Sequence, residues 1–145
     1  MNLDQRPPRS PRVRLGGYVI LPRLLDKCRA ELEGNGGDYH YNCPLDQRFF
    51  NFAGVDPDAL KVEVAKGLGD GALLEWINAN AAHRREDWEI VQWSGVREAA
   101  APADNESRSF VNELAAGAGG GEREDIATWF DVLDLDDHAS YGGKS

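Results

Sequence analysis

Apolar residues recur every three or four positions along most of this chain, which is the spacing of amphipathic helices. In the first periodic segment they fall at 18, 21, 25, 28 and 32, and Gly34 ends the helix predicted there. Four residues fall away from that stripe and are predicted to lie on the polar face: Arg23, Lys27, Ala30 and Glu31. The last segment repeats the spacing at 126, 129, 130 and 133, so a final helix is predicted there.

Helix start and stop signals define the segments in between. Asp56-Pro57-Asp58 is such a start, with an acceptor at the cap and proline at the next position. The following Leu60–Val64 stretch also alternates as a strand would, but the cap signal favours a helix. The predicted helices run from Pro44 to about Gly54, from Asp56 to Lys66, from the predicted cap Asp70 through Asn80, from Arg85 to about Ala101, and from the predicted cap Asp104 to the glycines at 117–121.

Together these segments predict an all-α fold, a compact bundle of about seven short helices. Three prolines keep residues 1–15 out of a helix, so we expect an extended, Arg/Pro-rich N-terminal arm there. Residues 16–141 are predicted to form a single helical domain, and residues 142–145 a flexible tail. One minor extended segment is expected near 38–42, where Tyr39-His40-Tyr41 alternates after a turn. The four tryptophans, Trp76, Trp88, Trp93 and Trp129, lie at or near core spacings.

Charge is distributed unevenly along the chain. The net charge of −9 over 145 residues argues against binding to nucleic acid or to an anionic membrane, both of which favour a basic face. Residues 1–30 nevertheless carry +5, which leaves −14 on the remaining 115 residues. A local cationic site for a small anion or a protein partner is therefore still allowed.

The sequence gives few signs of a particular compartment. It has no run of 18 apolar residues, and its polar start lacks the apolar stretch of a signal peptide. Cys28 and Cys43 are too few for a disulfide scaffold. We therefore expect a cytoplasmic protein with reduced thiols, either a monomer or a small homo-oligomer.

Two motifs suggest cofactors, and we favour a structural interpretation of both. Gly67–Ala72 matches G-x-G-x-x-A, but a dinucleotide turn follows a parallel strand, whereas this one follows a predicted helix. Asp38, His40, Cys43 and Asp46 are all metal-ligand types within nine residues. Structural zinc sites usually have paired ligands in two halves, and no second cluster is present. We expect neither a metal nor another cofactor.

The arginines of the arm have two competing uses. Arg9, Arg12, Arg14 and Arg23 offer planar forks that suit carboxylate or phosphate. In the favoured, structural use the arm docks across the acidic body of its own subunit or of a neighbour. In the other use the arginines line a pocket for a small anion. The acidic run of Asp131, Asp134, Asp136 and Asp137 near a helix C-terminus opposes the helix dipole, and the arm is the nearest source of compensating charge.

Several short blocks resemble one known bacterial family. They are Arg9-Ser10-Pro11, Leu15-Gly16-Gly17, Leu25-Asp26-Lys27, the stretch from Tyr39 to Asp46, and Gly69-Asp70 through Trp76. Through them nearly the whole chain resembles the family catalogued as domain of unknown function 5069. The resemblance implies a compact, soluble bacterial domain but supplies no activity and no catalytic residues. It makes the arm and the Tyr39–Asp46 loop the most family-like parts of the chain.

Three hypotheses about function follow. In the first, a helical domain binds a small anionic ligand or a protein partner through its basic arm and the Tyr39–Asp46 loop. The candidate residues are Arg9, Arg12, Arg23, Asp26, Tyr39, His40, Tyr41, Cys43 and Asp46. In the second, an enzyme of unknown reaction uses His40, Cys43 or Asp46 beside Arg23 and Asp26. In the third, the protein is purely structural and oligomerises through its arm.

Overall fold

A computed structural model describes residues 1–143 of the chain, and their regular structure is helical, as predicted. The helices are α1 (Leu21–Leu32), α2 (Pro44–Ala53), α3 (Pro57–Val64), α4 (Asp70–Asn80), α5 (Asp87–Ala99), α6 (Asn105–Gly117) and α7 (Trp129–Ser140). Within these described residues the β-structure amounts to one isolated bridge between Leu15 and Tyr18. The all-α prediction is confirmed, and residues 38–42 form turns and irregular loop without strand pairing.

Helix α1 occupies the centre of the fold, since nine of its twelve residues are buried. Helices α2 and α3 pack on it, α4 packs on α3, and α6 pairs with α7. In the core, the ring of Phe49 on α2 forms T-shaped contacts with the rings of Tyr18 and Phe50. Only the C-terminal end of this helix, at Glu31 and Leu32, is exposed to solvent, so the charged residues along the rest of it lie within the fold.

The polar face predicted for α1 is therefore wrong in one respect. Arg23, Lys27 and Ala30 fall away from the apolar stripe, yet all three are buried, and so is Asp26. The arm, the loop after α1 and helix α7 cover this face, as the ion pairs described below show. Buried charges are costly without partners, so each of these side chains must be paired.

Most helix ends agree with their predicted signals. Asp56 caps α3 by accepting from the Ala59 amide, and Asp104 caps α6 in the same way. The first helix begins at Leu21 rather than Tyr18, because Ile20, directly before it, has a φ of 73° and cannot belong to a right-handed helix. Asp70 is the first residue of α4 rather than its cap, so its carboxylate is available for other contacts.

Two differences concern the last helix and one tryptophan. Helix α7 begins at Trp129 rather than near Ile126, because Thr128 and Asp131 form a capping box there. Trp88, at a core-like spacing, is 63% exposed, whereas Trp76 and Trp93 pack against the core.

No helix among residues 1–143 is long and apolar enough to cross a membrane.

The N-terminal residues lie against the helices. Leu3 is buried, its amide donates to the Asn35 carbonyl, and Ile20 donates to the Pro11 carbonyl. The proposed division into an arm (1–15), a helical domain (16–141) and a tail remains a prediction. Of the predicted flexible tail, 142–145, the last two residues lie outside the described part of the chain.

Candidate ligand-binding cleft

Arg9 joins the arm to two helices. Its Nε and Nη2 donate to the two carboxylate oxygens of Asp26 on α1, both at 3.0 Å. Its Nη1 and Nη2 donate to Asp70 at the start of α4, at 2.6 and 3.2 Å. These bonds raise the pKa of Arg9 and lower that of Asp70. The whole fork of Arg9 is thus occupied by carboxylates of the same chain.

Arg12 and Arg14 continue the docking. Arg12 donates to Asp131 and, at 3.0 Å, to Asp134 of α7. Arg14 donates to Glu98 of α5 at 2.9 Å. The arm therefore lies across the acidic body of its own chain, which is the structural use predicted for it. Arg12 thus neutralises two members of the acidic run, but Asp131 lies in the first turn of α7, where the helix dipole favours a carboxylate, so the dipole argument does not apply to it.

Arg23 reaches α7 from inside the fold. Its Nη1 donates to Asp137 at 2.7 Å and to the Arg9 carbonyl at 3.2 Å, and its guanidinium lies over the Tyr39 ring. The Tyr39 hydroxyl donates to the same Asp137 carboxylate at 2.7 Å. Burial, together with this bond, raises the pKa of Tyr39. Arg23, Asp137 and Tyr39 form one buried polar group between α1, α7 and the loop.

Lys27 lies one turn further along α1 and has three partners. Its Nζ is 2.7 Å from Asp46 Oδ2, 3.0 Å from the His40 carbonyl and 3.3 Å from Cys43 Sγ. The Lys27 side chain is 4% exposed and that of Asp46 is fully buried. Asp46 also accepts from the Asn42 amide at 3.0 Å. This ion pair ties α1 to the start of α2 and fixes the loop between them.

These two groups form the floor of an open cleft of about 480 Å³. The loop after α1 makes one wall, α7 another, and the start of the arm a third. Tyr141 at the end of α7 donates to the Leu3 carbonyl and so joins two of the walls. The lining residues are Leu3, Asp4, Arg23, Lys27, Gly37, Asp38, Tyr39, His40, Cys43, Leu45, Leu133, Asp136, Ser140 and Tyr141.

The cleft carries an excess of negative charge. Its two cations, Arg23 and Lys27, are neutralised by Asp137 and Asp46. Three further carboxylates line it, those of Asp4, Asp38 and Asp136, and within residues 1–143 none of the three has an ion-pair partner. Burial, followed by repulsion from Asp137, raises the pKa of Asp136, although Arg23 acts in the opposite direction. The unpaired charge of the cleft is thus anionic.

Comparison with known proteins gives one result. The family model described as Domain of unknown function (DUF5069) matches residues 5–139. The chain belongs to this family. No curated protein matches it significantly. The match to DUF5069 covers most of the arm and of the cleft lining, leaves Leu3, Asp4, Ser140 and Tyr141 outside it, and assigns no activity.

In this DUF5069 chain the nine predicted site residues do not form one site. Arg23, Tyr39, His40 and Cys43 line the cleft, and Asp46 lies behind Lys27. The other four are occupied elsewhere. Arg9 and Asp26 bind each other, Arg12 binds α7, and the Tyr41 hydroxyl donates to the Pro57 carbonyl. The loop part of the predicted surface is thus at the cleft, whereas the arm arginines lie outside it.

Several cleft residues of the DUF5069 chain are not among the nine predicted site residues, and they include Asp4, Asp38, Lys27, Asp136 and Tyr141. Lys27 belongs to the Leu25-Asp26-Lys27 block that carries the family resemblance, but the periodicity placed it on an exposed face. For Asp136 a usable signal existed, because Leu133, Asp136 and Ser140 follow the i, i+3, i+7 spacing of one helix face. Nothing in the sequence indicated that this face would meet the loop.

Proposed function

We propose that the cleft binds a small ligand that carries a positively charged amine. The observation that supports this proposal is the set of three carboxylates, Asp4, Asp38 and Asp136, that have no ion-pair partner among residues 1–143 and surround a concave site whose cations are already neutralised. A cation placed there would relieve the repulsion between Asp136 and Asp137. A concave site with a few converging polar groups is the usual form of a ligand pocket.

The other cleft residues suit a ligand with a short hydrocarbon part. Leu3, Leu45 and Leu133 contribute apolar surface to the walls. His40 and Ser140 are exposed polar side chains that can form hydrogen bonds to a ligand. A compact aliphatic amine therefore matches the mixture of carboxylate, hydroxyl and leucine surface in the cleft.

A small anion, predicted from the basic arm, is the competing ligand class. It would need a cation that is not already paired, but Arg9, Arg12, Arg23 and Lys27 each bind a carboxylate of the chain. Displacing these carboxylates would leave buried or half-buried negative charges without partners, which costs several kcal/mol for a buried pair. The charge balance thus favours an amine.

Calorimetric titration tests the proposal with two simple probes, putrescine and inorganic phosphate, at equal ionic strength. We expect putrescine to bind and Asp136→Asn to weaken it about fivefold, since a half-exposed ion pair contributes about 1 kcal/mol. Glu113→Gln, an exposed carboxylate on α6, is the matched control and should leave the affinity unchanged. If phosphate binds and putrescine does not, the ligand class is an anion and the proposal is wrong. If neither binds, the proposal is also wrong.

The remaining parts of the functional hypothesis also stay proposals. A cytoplasmic location rests on the two cysteines, which are both free thiols. Assembly through the arm would have to compete with the contacts that Arg9, Arg12 and Arg14 already make within one chain. Light scattering of a chain lacking residues 1–15 tests such assembly directly, because an unchanged mass rules it out.

A further inference from the structure

We propose that Cys43 is a nucleophilic thiol that hydrogen peroxide oxidises to a sulfenic acid. The proposal does not depend on amine binding, since it concerns the sulfur, its cation and its acid partner at the floor of the cleft. Cys43 lines the cleft and is partly exposed, so a small oxidant in solution can reach it. It belongs to a cluster of three side chains, Cys43, Lys27 and Asp46.

The surroundings of Cys43 are those of a reactive thiol. The Lys27 ammonium donates to its sulfur at 3.3 Å. Cys43 is also the N-cap residue of the ten-residue helix α2, and its side chain makes no capping hydrogen bond. A neighbouring lysine and a helix N-terminus both favour a sulfur that acts as a nucleophile. The sulfur therefore has an ammonium donor within hydrogen-bond distance, itself paired with Asp46, and is not engaged in capping its own helix.

Asp46 holds this arrangement and keeps one oxygen unused. Its Oδ2 binds Lys27 at 2.7 Å and thereby fixes the ammonium beside the sulfur. Its Oδ1 is buried and has no hydrogen-bond partner within residues 1–143. Asp46 is thus a positioning residue, because it acts on the sulfur through Lys27.

The oxidation balances with hydrogen peroxide alone. The Cys43 sulfur attacks one peroxide oxygen, an S–O bond forms and the O–O bond breaks. The sulfur loses two electrons, the peroxide gains them, and the thiol proton ends on the departing hydroxide as water. Lys27 donates to the sulfur before the reaction, and the same N–H can pass to the departing oxygen once the sulfur has attacked. This donor is why we name a peroxide rather than an alkylating compound as the reactant.

Cys28 provides an internal comparison. It is fully buried in the core, and burial raises the pKa of its thiol to about 11. It lies on the same helix as Lys27 but is absent from the residues that line the cleft. A difference between the oxidation rates of the two cysteines therefore reflects their different surroundings within one molecule.

The test uses the folded full-length protein, hydrogen peroxide, and dimedone as the trap for sulfenic acid. Mass spectrometry of the cysteine peptides gives the labelling rate of each thiol. We expect Cys43 to be labelled at least tenfold faster than Cys28. It should also react at least threefold faster than a fully exposed thiol introduced by S109C in a C43S background. Labelling of Cys43 at or below the rate of that reference thiol would overturn the proposal.

A second set of variants tests the role of Lys27. Lys27→Arg keeps the cation, whereas the double variant K27Q/D46N removes both charges without leaving one of them buried alone. We expect the labelling rate to fall about tenfold in the double variant and to recover in K27R, with thermal unfolding used to select folded samples. Equal labelling rates in K27R and the double variant would contradict the role given to the ammonium. If the double variant does not fold, the labelling rate of Cys43 in K27R is compared with the wild-type rate and with the rate of the S109C reference thiol. A rate equal to that of the wild type supports the role of the cation, and a rate equal to that of the reference thiol contradicts it.

Discussion

Arg9→Ala would remove the guanidinium that joins the arm to α1 and α4. Asp26, which is 3% exposed, would lose its bidentate partner and keep the Arg9 amide at 2.9 Å and Arg29 Nη1 at 3.6 Å. Breaking a buried ion pair costs about 3–5 kcal/mol. Arg9 itself is 37% exposed, so water screens part of this loss, and we expect about 2 kcal/mol at Asp26. The more exposed contact with Asp70 adds about 0.5 kcal/mol.

Urea unfolding at neutral pH measures this loss directly. Arg6→Ala is the matched control, because Arg6 lies in the same arm, is exposed and forms no ion pair within residues 1–143. We expect the free energy of unfolding to fall by about 2–3 kcal/mol in R9A and by less than about 0.5 kcal/mol in R6A. Arg9→Lys should recover less than half of the loss, since an ammonium cannot bind the carboxylate bidentately. Equal stabilities of R9A and R6A would refute the inference that the arm is held by Arg9.

Three further predictions concern single positions. The folded state lowers the pKa of Asp70, chiefly through the hydrogen bond from the arm. Ionised Asp70 therefore stabilises the fold fully above its pKa in the unfolded chain, near 3.9, and this stabilisation is lost as the pH falls below that value. The variant D70N should therefore show a smaller decline in the free energy of unfolding between about pH 5 and about pH 3. Ser94→Ala leaves a buried amide and a carbonyl without partners and should cost about 1–3 kcal/mol in urea unfolding, whereas S109A on an exposed helix face should cost almost nothing. Gly54 has a φ of +68° and no room for a Cβ, so G54A should lower the melting temperature, whereas G71A, in open space on α4, should raise it slightly.

The helices were predictable from local signals, and the docking of the arm was predictable from the distribution of charge along the chain. Apolar spacing marks the buried face of a helix, and proline and capping residues mark its ends. The charge split between residues 1–30 and the rest likewise predicted that the arm would meet the acidic body. The arm meets the acidic body through the side-chain ion pairs of Arg9, Arg12 and Arg14.

The cleft was only partly predictable because it depends on contacts between distant parts of the chain. Arg23 and Lys27 lie on the polar side of the α1 periodicity, yet they are buried by Asp137 and Asp46, which come from other elements. Helical periodicity describes one helix and cannot report what later covers it. The sequence therefore selected the Tyr39–Asp46 loop, part of which lines the cleft, and the arm arginines, which lie outside it, and the binding role of both stays a prediction.

The most direct test of the central claim is an NMR titration that follows the backbone amides of the ¹⁵N-labelled protein. If the arm arginines are occupied and the cleft is the binding surface, putrescine should shift the amides of residues 37–45 and 136–141. The amides of residues 9–14 should remain unchanged when either putrescine or phosphate is added. Phosphate-induced shifts centred on residues 9–14 would contradict this, because they would show that the arm binds an anion despite its ion pairs.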